Sequence, residues 1–237
     1  MGKINQIMRK EKNRGTIYIV STPIGNLEDI TLRALRILKE VDIIAVEDTR
    51  RTRKLLSHYE ISKHLISYHD HNKIKQAEVI LKRLEEGLDI ALVSDAGTPG
   101  ISDPSYHLIN LALKHNFHIE SIPGPSAVIA ALSISGLPID KFAFEGFLPR
   151  KKGKRQSRIE QLKNEERTII LYESPYRIHR LLDEILSIIG NRQIVIAREI
   201  TKKFEEIIRG ELKDIIEQMK DKKIKGEITL ILMGSKK

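Results

Sequence analysis

Cysteine is absent from the 237 residues. Its absence removes disulfides, thiolate metal centres and thiol catalysis together. Long apolar runs are also missing, so no transmembrane helix is expected. Residues 1–14 are basic and polar and lack the apolar stretch of a secretory signal. They read as a tail ahead of the first strand, and a cytoplasmic protein with no membrane partner follows. Common phosphate and hydrolase signatures are missing as well. No Gly-x-Gly-x-x-Gly occurs, no Ser or Thr follows Gly153-Lys154, and no Gly-x-Ser-x-Gly surrounds Ser126. His-Glu-x-x-His is absent too. His69-Asp-His71 has the look of a metal pair, but two histidines in a polar loop read as solvated or substrate-facing. No metal is assigned.

What is present is a soluble composition with 41% hydrophobic and 31% charged residues. The length allows one large or two compact domains. The net charge of +9 suits a polyanionic partner such as nucleic acid, and equally a lysine-rich solvated surface.

Short apolar, β-branched runs at 16–21, 42–47, 89–94 and 118–122 read as strands. Helical periodicity separates them. Asp29 is placed to cap a helix carrying Ile30, Ala34, Ile37, Leu38 and Val41 on one face. Further helices are expected over 73–86, stopped by Gly87, and over 104–114. Continuous apolar strands alternating with helices predict a parallel sheet covered on both faces, here over 15–124. The remainder, 125–237, predicts a second α/β domain with a mixed sheet. Its strands fall at 141–147, 168–172, 193–197, 204–209 and 227–232. A hairpin spans 198–209, and helices lie near 155–164, 175–188 and 211–220.

The strand ends carry the chemistry. Leu92-Val-Ser-Asp-Ala-Gly-Thr-Pro-Gly-Ile-Ser-Asp-Pro104 opens on the end of a strand and is rich in Gly, Pro, Asp and hydroxyls. It is poor as helix or strand and reads as a shaped loop. Thr22-Pro-Ile-Gly-Asn26, Glu47-Asp-Thr-Arg-Arg51 and Pro123-Gly-Pro-Ser-Ala127 close three more strands. In an open α/β sheet such loops meet on one rim, where ligands bind. Tyr172-Glu-Ser-Pro175 closes a strand of the second half. Six cations crowd the nine residues 150–158. With Gly153 set against a continuous helix, this stretch reads as a phosphate-contacting arm or a solvated linker.

In this order, from about Gly15 to Leu232, the motifs resemble the small-subunit rRNA 2′-O-ribose methyltransferase I family of the tetrapyrrole methylase superfamily. The resemblance implies two α/β domains of class III methyltransferase type with S-adenosylmethionine in the cleft between them, in a homodimer. It implies methylation of a cytidine ribose in the decoding region of 16S rRNA in the small ribosomal subunit. Carried over by motif position, cofactor contacts come from Pro23, Gly25, Asp95, Gly97, Pro99, Ile101, Ser102, Ser126, Ala127, Tyr172, Glu227, Ile228 and Thr229. Glu47 or Asp48 is expected to take the hydroxyl proton, Arg50 to hold the carboxylate or a phosphate, and Lys202 to act electrostatically. Arg150, Lys151, Lys152, Lys154 and Arg155 are expected to contact rRNA phosphates. Two other readings stay open. One is a methyltransferase acting on a corrin-type macrocycle, against which the charge weighs. The other is an RNA-binding assembly factor without catalysis, against which the 94–104 loop weighs.

Overall fold

The computed structural model describes residues 14–235, so the basic tail lies outside the described residues except for Arg14, whose guanidinium sits 3.9 Å from the Phe117 ring centroid. The chain divides into two compact units, one through Ser126 and one from Ala127.

The first unit is a five-stranded, wholly parallel sheet in the order β3-β2-β4-β1-β5. Its strands are β1 (Thr16–Val20), β2 (Ile43–Val46), β3 (His64–Ser67), β4 (Ile90–Val93) and β5 (His118–Ile122). The helices are α1 (Leu32–Glu40), α2 (Thr49–His58), α3 (Lys73–Glu85) and α4 (Ser105–Lys114). Every residue of β2 and β4 is buried, which is why both read as unbroken apolar runs. Alternate residues feed opposite faces. Ile17, Ile43, Ile90 and Leu92 pack with Ile80 and Leu84 of α3 and Leu108 of α4. Ile44, Val46, Ala91 and Val93 pack with Ala34 and Leu38 of α1 and Leu55 of α2.

Capping corrects one expectation. Thr31, not Asp29, starts α1, its hydroxyl accepting from the Ala34 N–H at 3.1 Å. Asp29 lies in a 3₁₀ turn, Leu27–Asp29, in which the Asn26 side chain accepts from the Glu28 N–H at 3.1 Å. At the other end of the pattern, Gly87 follows α3 at φ 88°, as its position beyond the last turn requires.

The second unit is a mixed sheet in the order β6-β7-β10-β8-β9. Its strands are β6 (Phe142–Phe147), β7 (Thr168–Glu173), β8 (Gln193–Arg198), β9 (Glu206–Glu211) and β10 (Ile228–Leu232). Only the β6–β7 pair is parallel. The helices are α5 (Ala127–Ser133), α6 (Lys152–Gln161), α7 (Ile178–Ile189) and α8 (Leu212–Met219). Ile169, Leu171, Ile194, Ile196 and Leu230 of the sheet meet Leu181, Leu182 and Ile185 of α7, Ile159 of α6 and Ile215 of α8.

The basic stretch is corrected here. Most of 150–158 is the beginning of α6, not a loose arm. Gly153 falls in the first turn, where its cost of about 1 kcal/mol is offset by an inward face of Arg155 and Ile159, four residues apart. Arg155 is no RNA-facing cation. It is 4% exposed, and its guanidinium donates to both Glu184 carboxylate oxygens at 2.6 and 2.8 Å and to the Arg150 carbonyl at 2.8 Å. Arg150, Lys151, Lys152 and Lys154 remain exposed.

Candidate active site

Because the first sheet is wholly parallel, the loops after β1, β2, β3, β4 and β5 leave from one edge. Three of them are bonded together. Thr22 and Gly97 exchange backbone hydrogen bonds at 2.9 and 3.0 Å, tying the loop after β1 to the long loop after β4. Ser21 Oγ lies 2.9 Å from Thr98 Oγ1. Thr98 in turn donates to the Pro125 carbonyl at 3.4 Å, which brings in the loop after β5. A β-carbon on Gly124 would lie 2.9 Å from Ser21 Cβ, so this approach requires glycine. The long loop turns through left-handed backbone at Gly97 (φ 78°), Gly100 (φ 91°) and Ser102 (φ 72°). A serine held there is strained, a state that clusters at ligand sites. Asp103 stabilises the turn by accepting from the Gly100 and Ser105 N–H groups at 2.8 and 2.9 Å.

The Glu47-Asp-Thr-Arg motif joins the same rim. Asp48 caps α2, accepting from the Arg50 N–H at 2.8 Å. Its own N–H donates to Asp95 Oδ1 at 2.9 Å, and Arg51 Nε lies 3.4 Å from Asp95 Oδ2. Asp95 therefore holds the start of α2 against the long loop. Asp48 is also gripped by the Arg50 guanidinium at 2.8 and 3.1 Å, which keeps its carboxyl down at about 2. Glu47 is the opposite case. Partial burial raises its carboxyl above the usual value, and the nearby charges of Asp95 and Asp103 add to the effect. Two adjacent carboxylates thus differ in kind: Arg50 holds Asp48 ionised, while burial and the neighbouring carboxylates raise the proton affinity of Glu47.

The loop after β3 also reaches this edge. The Tyr68 N–H donates to the Val46 carbonyl at 2.7 Å, and the Tyr68 hydroxyl lies 3.4 Å from the Pro104 carbonyl. His69 Nδ1 is buried there without a hydrogen-bond partner. Among the described residues no cluster of His, Asp and Glu is arranged to hold a metal.

The positions expected to meet a cofactor are placed as follows. Pro23, Thr22, Ser94 and Asp95 line a cavity of about 130 Å³ beside α2. Gly25, Ile101 and Ser102 are exposed, while Gly97 and Pro99 are buried supports. Ser126 is half-buried at the end of the first unit. The rim carries the Glu47, Asp95 and Asp103 carboxylates, with Arg51 and Lys54 beside Asp95 at the cavity, and exposed Ile101 adds apolar surface. This combination fits a cofactor that joins charged groups to an apolar body.

In the second unit, Tyr172 and Thr229 are cross-strand partners on β7 and β10. The Tyr172 ring stands edge-on to Phe144 at 5.1 Å and tilted to Phe147 at 5.6 Å. Burial raises its phenol above 10.0, and its hydroxyl faces the backbone of Val128, next to Ala127. Ile228 and Thr229 are buried in β10. Glu227 precedes that strand, its carboxylate 2.9 Å from Lys202 Nζ. Lys202 also donates to Glu199 at 2.8 Å. Burial works against its charge, but these two carboxylates outweigh it and raise its pKa, so it stays a cation.

Fold and rim together define a class. Residues 16–216 match the family model of the tetrapyrrole (corrin/porphyrin) methylases. Solved structures of that class superpose on the chain. The methyltransferase CobJ does so with a TM-score of 0.70 at 20% identity, over 93% of this chain and 95% of that one. Uroporphyrin-III C-methyl transferase from Thermus thermophilus complexed with S-adenosyl homocysteine does so with a TM-score of 0.66 at 18% identity, over 92% and 97%. At such identities the likeness concerns the fold.

Sequence relatives are far closer. Ribosomal RNA small subunit methyltransferase I of Halalkalibacterium halodurans is 48% identical over 98% of this chain and 81% of its own length. The Thermotoga maritima protein of the same name is 49% identical over 93% and 99%. The chain belongs to the ribosomal RNA small subunit methyltransferase I family.

Proposed function

We propose that the chain methylates ribosomal RNA of the small subunit with S-adenosylmethionine, and that the acceptor is the ribose 2′-hydroxyl of a cytidine in the decoding region of 16S rRNA. The observation that carries the site is the hydrogen bond from the Asp48 N–H to Asp95, which joins the Glu47-Asp-Thr-Arg motif to the long loop. Family membership at 48–49% identity supports rRNA over a corrin-type macrocycle, to which the solved neighbours are related at only 18–20%.

S-adenosylmethionine, when bound, supplies a methyl group made electrophilic by its sulfonium. The residues of the chain bind it, orient the acceptor and move one proton. In the first unit Pro23, Gly25, Asp95, Ile101, Ser102 and Ser126 are assigned to the cofactor, with Gly97 and Pro99 shaping the loop from beneath. Ala127, Tyr172, Glu227, Ile228 and Thr229 are assigned to it from the second unit. Alignment of the hydroxyl oxygen with the methyl carbon supplies most of the acceleration. The proton of the acceptor hydroxyl would pass to a Glu47 carboxylate oxygen, leaving the ribose oxygen the stronger nucleophile. Asp48 and Arg50 hold the start of α2 so that Glu47 keeps its place. Lys202, a fixed cation, acts electrostatically. Arg150, Lys151, Lys152 and Lys154 contact RNA phosphates. A homodimer working in the cytoplasm belongs to the same reading, and a monomer in sedimentation at micromolar concentration would remove the dimer from it.

The test is nucleoside mass spectrometry on small subunits lacking the modification, incubated with the protein and S-adenosylmethionine. Appearance of 2′-O-methylcytidine is expected. A methylated base, or no methylated nucleoside while the cofactor binds, would refute the assignment.

A further inference from the structure

The connection between β8 and β9, residues 199–205, leaves Phe204 67% exposed. The Lys203 ammonium lies 5.8 Å from its ring centroid. Beside it runs the loop from α8 to β10, with lysines at 220, 222, 223 and 225. This loop is held by its backbone. The Lys222 N–H donates to the Met219 carbonyl at 2.9 Å, the Lys225 carbonyl accepts from Arg198 Nη1 at 3.1 Å, and the Lys222 carbonyl lies 3.1 Å from His179 Nε2. Gly226 sits at φ 90°, where a β-carbon would lie 2.3 Å from the Glu199 side chain.

Anchored in this way, and by Ile224 packed against the core, the loop spends none of its lysine side chains on its own fixation. Among the described residues Lys222, Lys223 and Lys225 enter no ion pair, whereas Lys220 lies 3.8 Å from Glu217. Phe204 and the three free lysines line one groove of about 560 Å³. The two carboxylates that also line it, Glu199 and Glu206, are already matched by Lys202 and Arg198 at 2.8 and 2.9 Å. The free charge in the groove is therefore all positive, around one bare aromatic face. A lipid surface or a protein partner would call for a broader apolar patch. A planar ring flanked by unpaired ammoniums suits an unstacked base between phosphates.

We propose that this groove binds a single-stranded segment of the RNA substrate, with one base stacked on Phe204 and adjoining phosphates held by Lys222, Lys223 and Lys225. The proposal rests on the reading of the chain as an rRNA methyltransferase and adds a second RNA surface to the α6 lysines.

The chain contains no tryptophan, so Phe204→Trp installs a single fluorescent reporter at the proposed stacking face. Titration with a short oligocytidylate at low salt should quench it saturably. Heparin, a polyanion without bases, should displace the RNA without quenching. Phe204→Ala should weaken oligonucleotide binding by roughly ten- to a hundred-fold, and Phe204→Tyr should restore it. The triple change Lys222→Ala, Lys223→Ala and Lys225→Ala should lower the salt slope of RNA binding by about two. If the wild type methylates subunits while Phe204→Ala binds RNA unchanged and the reporter stays silent, the groove is overturned and the function stands. If Phe204→Ala alters only self-association in sedimentation, a second copy covers the ring and the proposal is overturned. If the wild type neither binds nor methylates rRNA, the parent reading falls and takes the groove with it.

Discussion

Replacing Arg155 by methionine separates architecture from RNA contact within one run of basic residues. The guanidinium loses two charge-assisted bonds to Glu184 and its bonds to the Pro149 and Arg150 carbonyls. Glu184 is 9% exposed at the side chain and keeps only Arg180, at 3.1 Å. Removing one partner of a buried pair costs about 3–5 kcal/mol. With Arg180 still in place, about 3 kcal/mol is expected. In a chain of this size that lowers the melting temperature by about 6–12 °C, read by calorimetry. The Glu184 carboxyl is held below its usual value by the Arg155 hydrogen bonds, against the pull of burial. Its contribution is therefore full above about pH 4.5 and is lost as pH falls through the lower folded value. The mutant should show a flatter fall in melting temperature across that acid range. Replacing both partners by methionine should recover most of the loss, because no charge is then left buried alone. A melting temperature within about 2 °C of wild type, with weaker rRNA binding, would refute this reasoning and return Arg155 to the RNA surface.

Other outcomes follow from the rim and from α6. Glu47→Gln should slow methyl transfer by roughly 10²–10⁴-fold with cofactor affinity kept in calorimetry. The wild-type rate should rise with pH through a midpoint above the ordinary glutamate value, and that acid limb should disappear in the variant. Asp48→Asn should leave the limb in place and keep the cap of α2, because asparagine caps a helix about as well as aspartate, so an unchanged acid limb in the pH–rate profile is the expected result. Gly97→Ala puts a β-carbon 3.4 Å from Ile24 Cγ2 at φ 78°, so cofactor affinity should fall by about ten-fold for a strain of 1–2 kcal/mol. Exchanging Lys151, Lys152 and Lys154 for alanine should leave the melting temperature unchanged and reduce the salt slope of rRNA binding by about two. An unchanged slope would leave these lysines as solvent-facing helix residues.

The parts of the fold that could be read from the chain are those where burial is two-sided. β2 and β4 are four buried residues each, and no helix pattern explains such runs. β3 escaped because it is a four-residue edge strand, His64-Leu-Ile-Ser67, whose two apolar residues are too few to show a period and neither of which is fully buried. α2 escaped for a related reason. Only Thr52, Leu55 and Leu56 of its ten residues are buried, and the rest are polar or charged. Ala127–Ser133 is a seven-residue apolar stretch, and length alone does not separate helix from strand there. The strand-end motifs of the first unit could be placed on one rim from sheet logic. Their bonding could not, because the bond from the Asp48 N–H to Asp95 spans 47 residues and uses a backbone donor that any residue supplies. The raised proton affinity of Glu47 was equally hidden, since it comes from burial and from Asp95 and Asp103, which no local spacing encodes, whereas the grip of Arg50 on Asp48 lies within the motif. Arg155 shows the converse. In composition it is one more cation, and only the inward face of α6 distinguishes it from Lys154.

The strand order of the first sheet also bears on how the chain is made. β1 lies between β4 and β5, with Ile17 paired to Ile90 on one side and to Ile119 on the other. During synthesis β1 therefore has neither neighbour until more than 70 further residues have followed it, which at about 5–20 residues per second takes roughly 4–15 seconds. Throughout that interval Ile17, Ile19 and Val20 have no sheet to enter and both strand edges are open. The loop after β1 cannot meet Gly97 before β4 docks, and Pro125 arrives later still. The rim thus forms at the last step of folding this unit, and a nascent or truncated chain ending before β5 would display an unpaired apolar edge to chaperones rather than a partly working site.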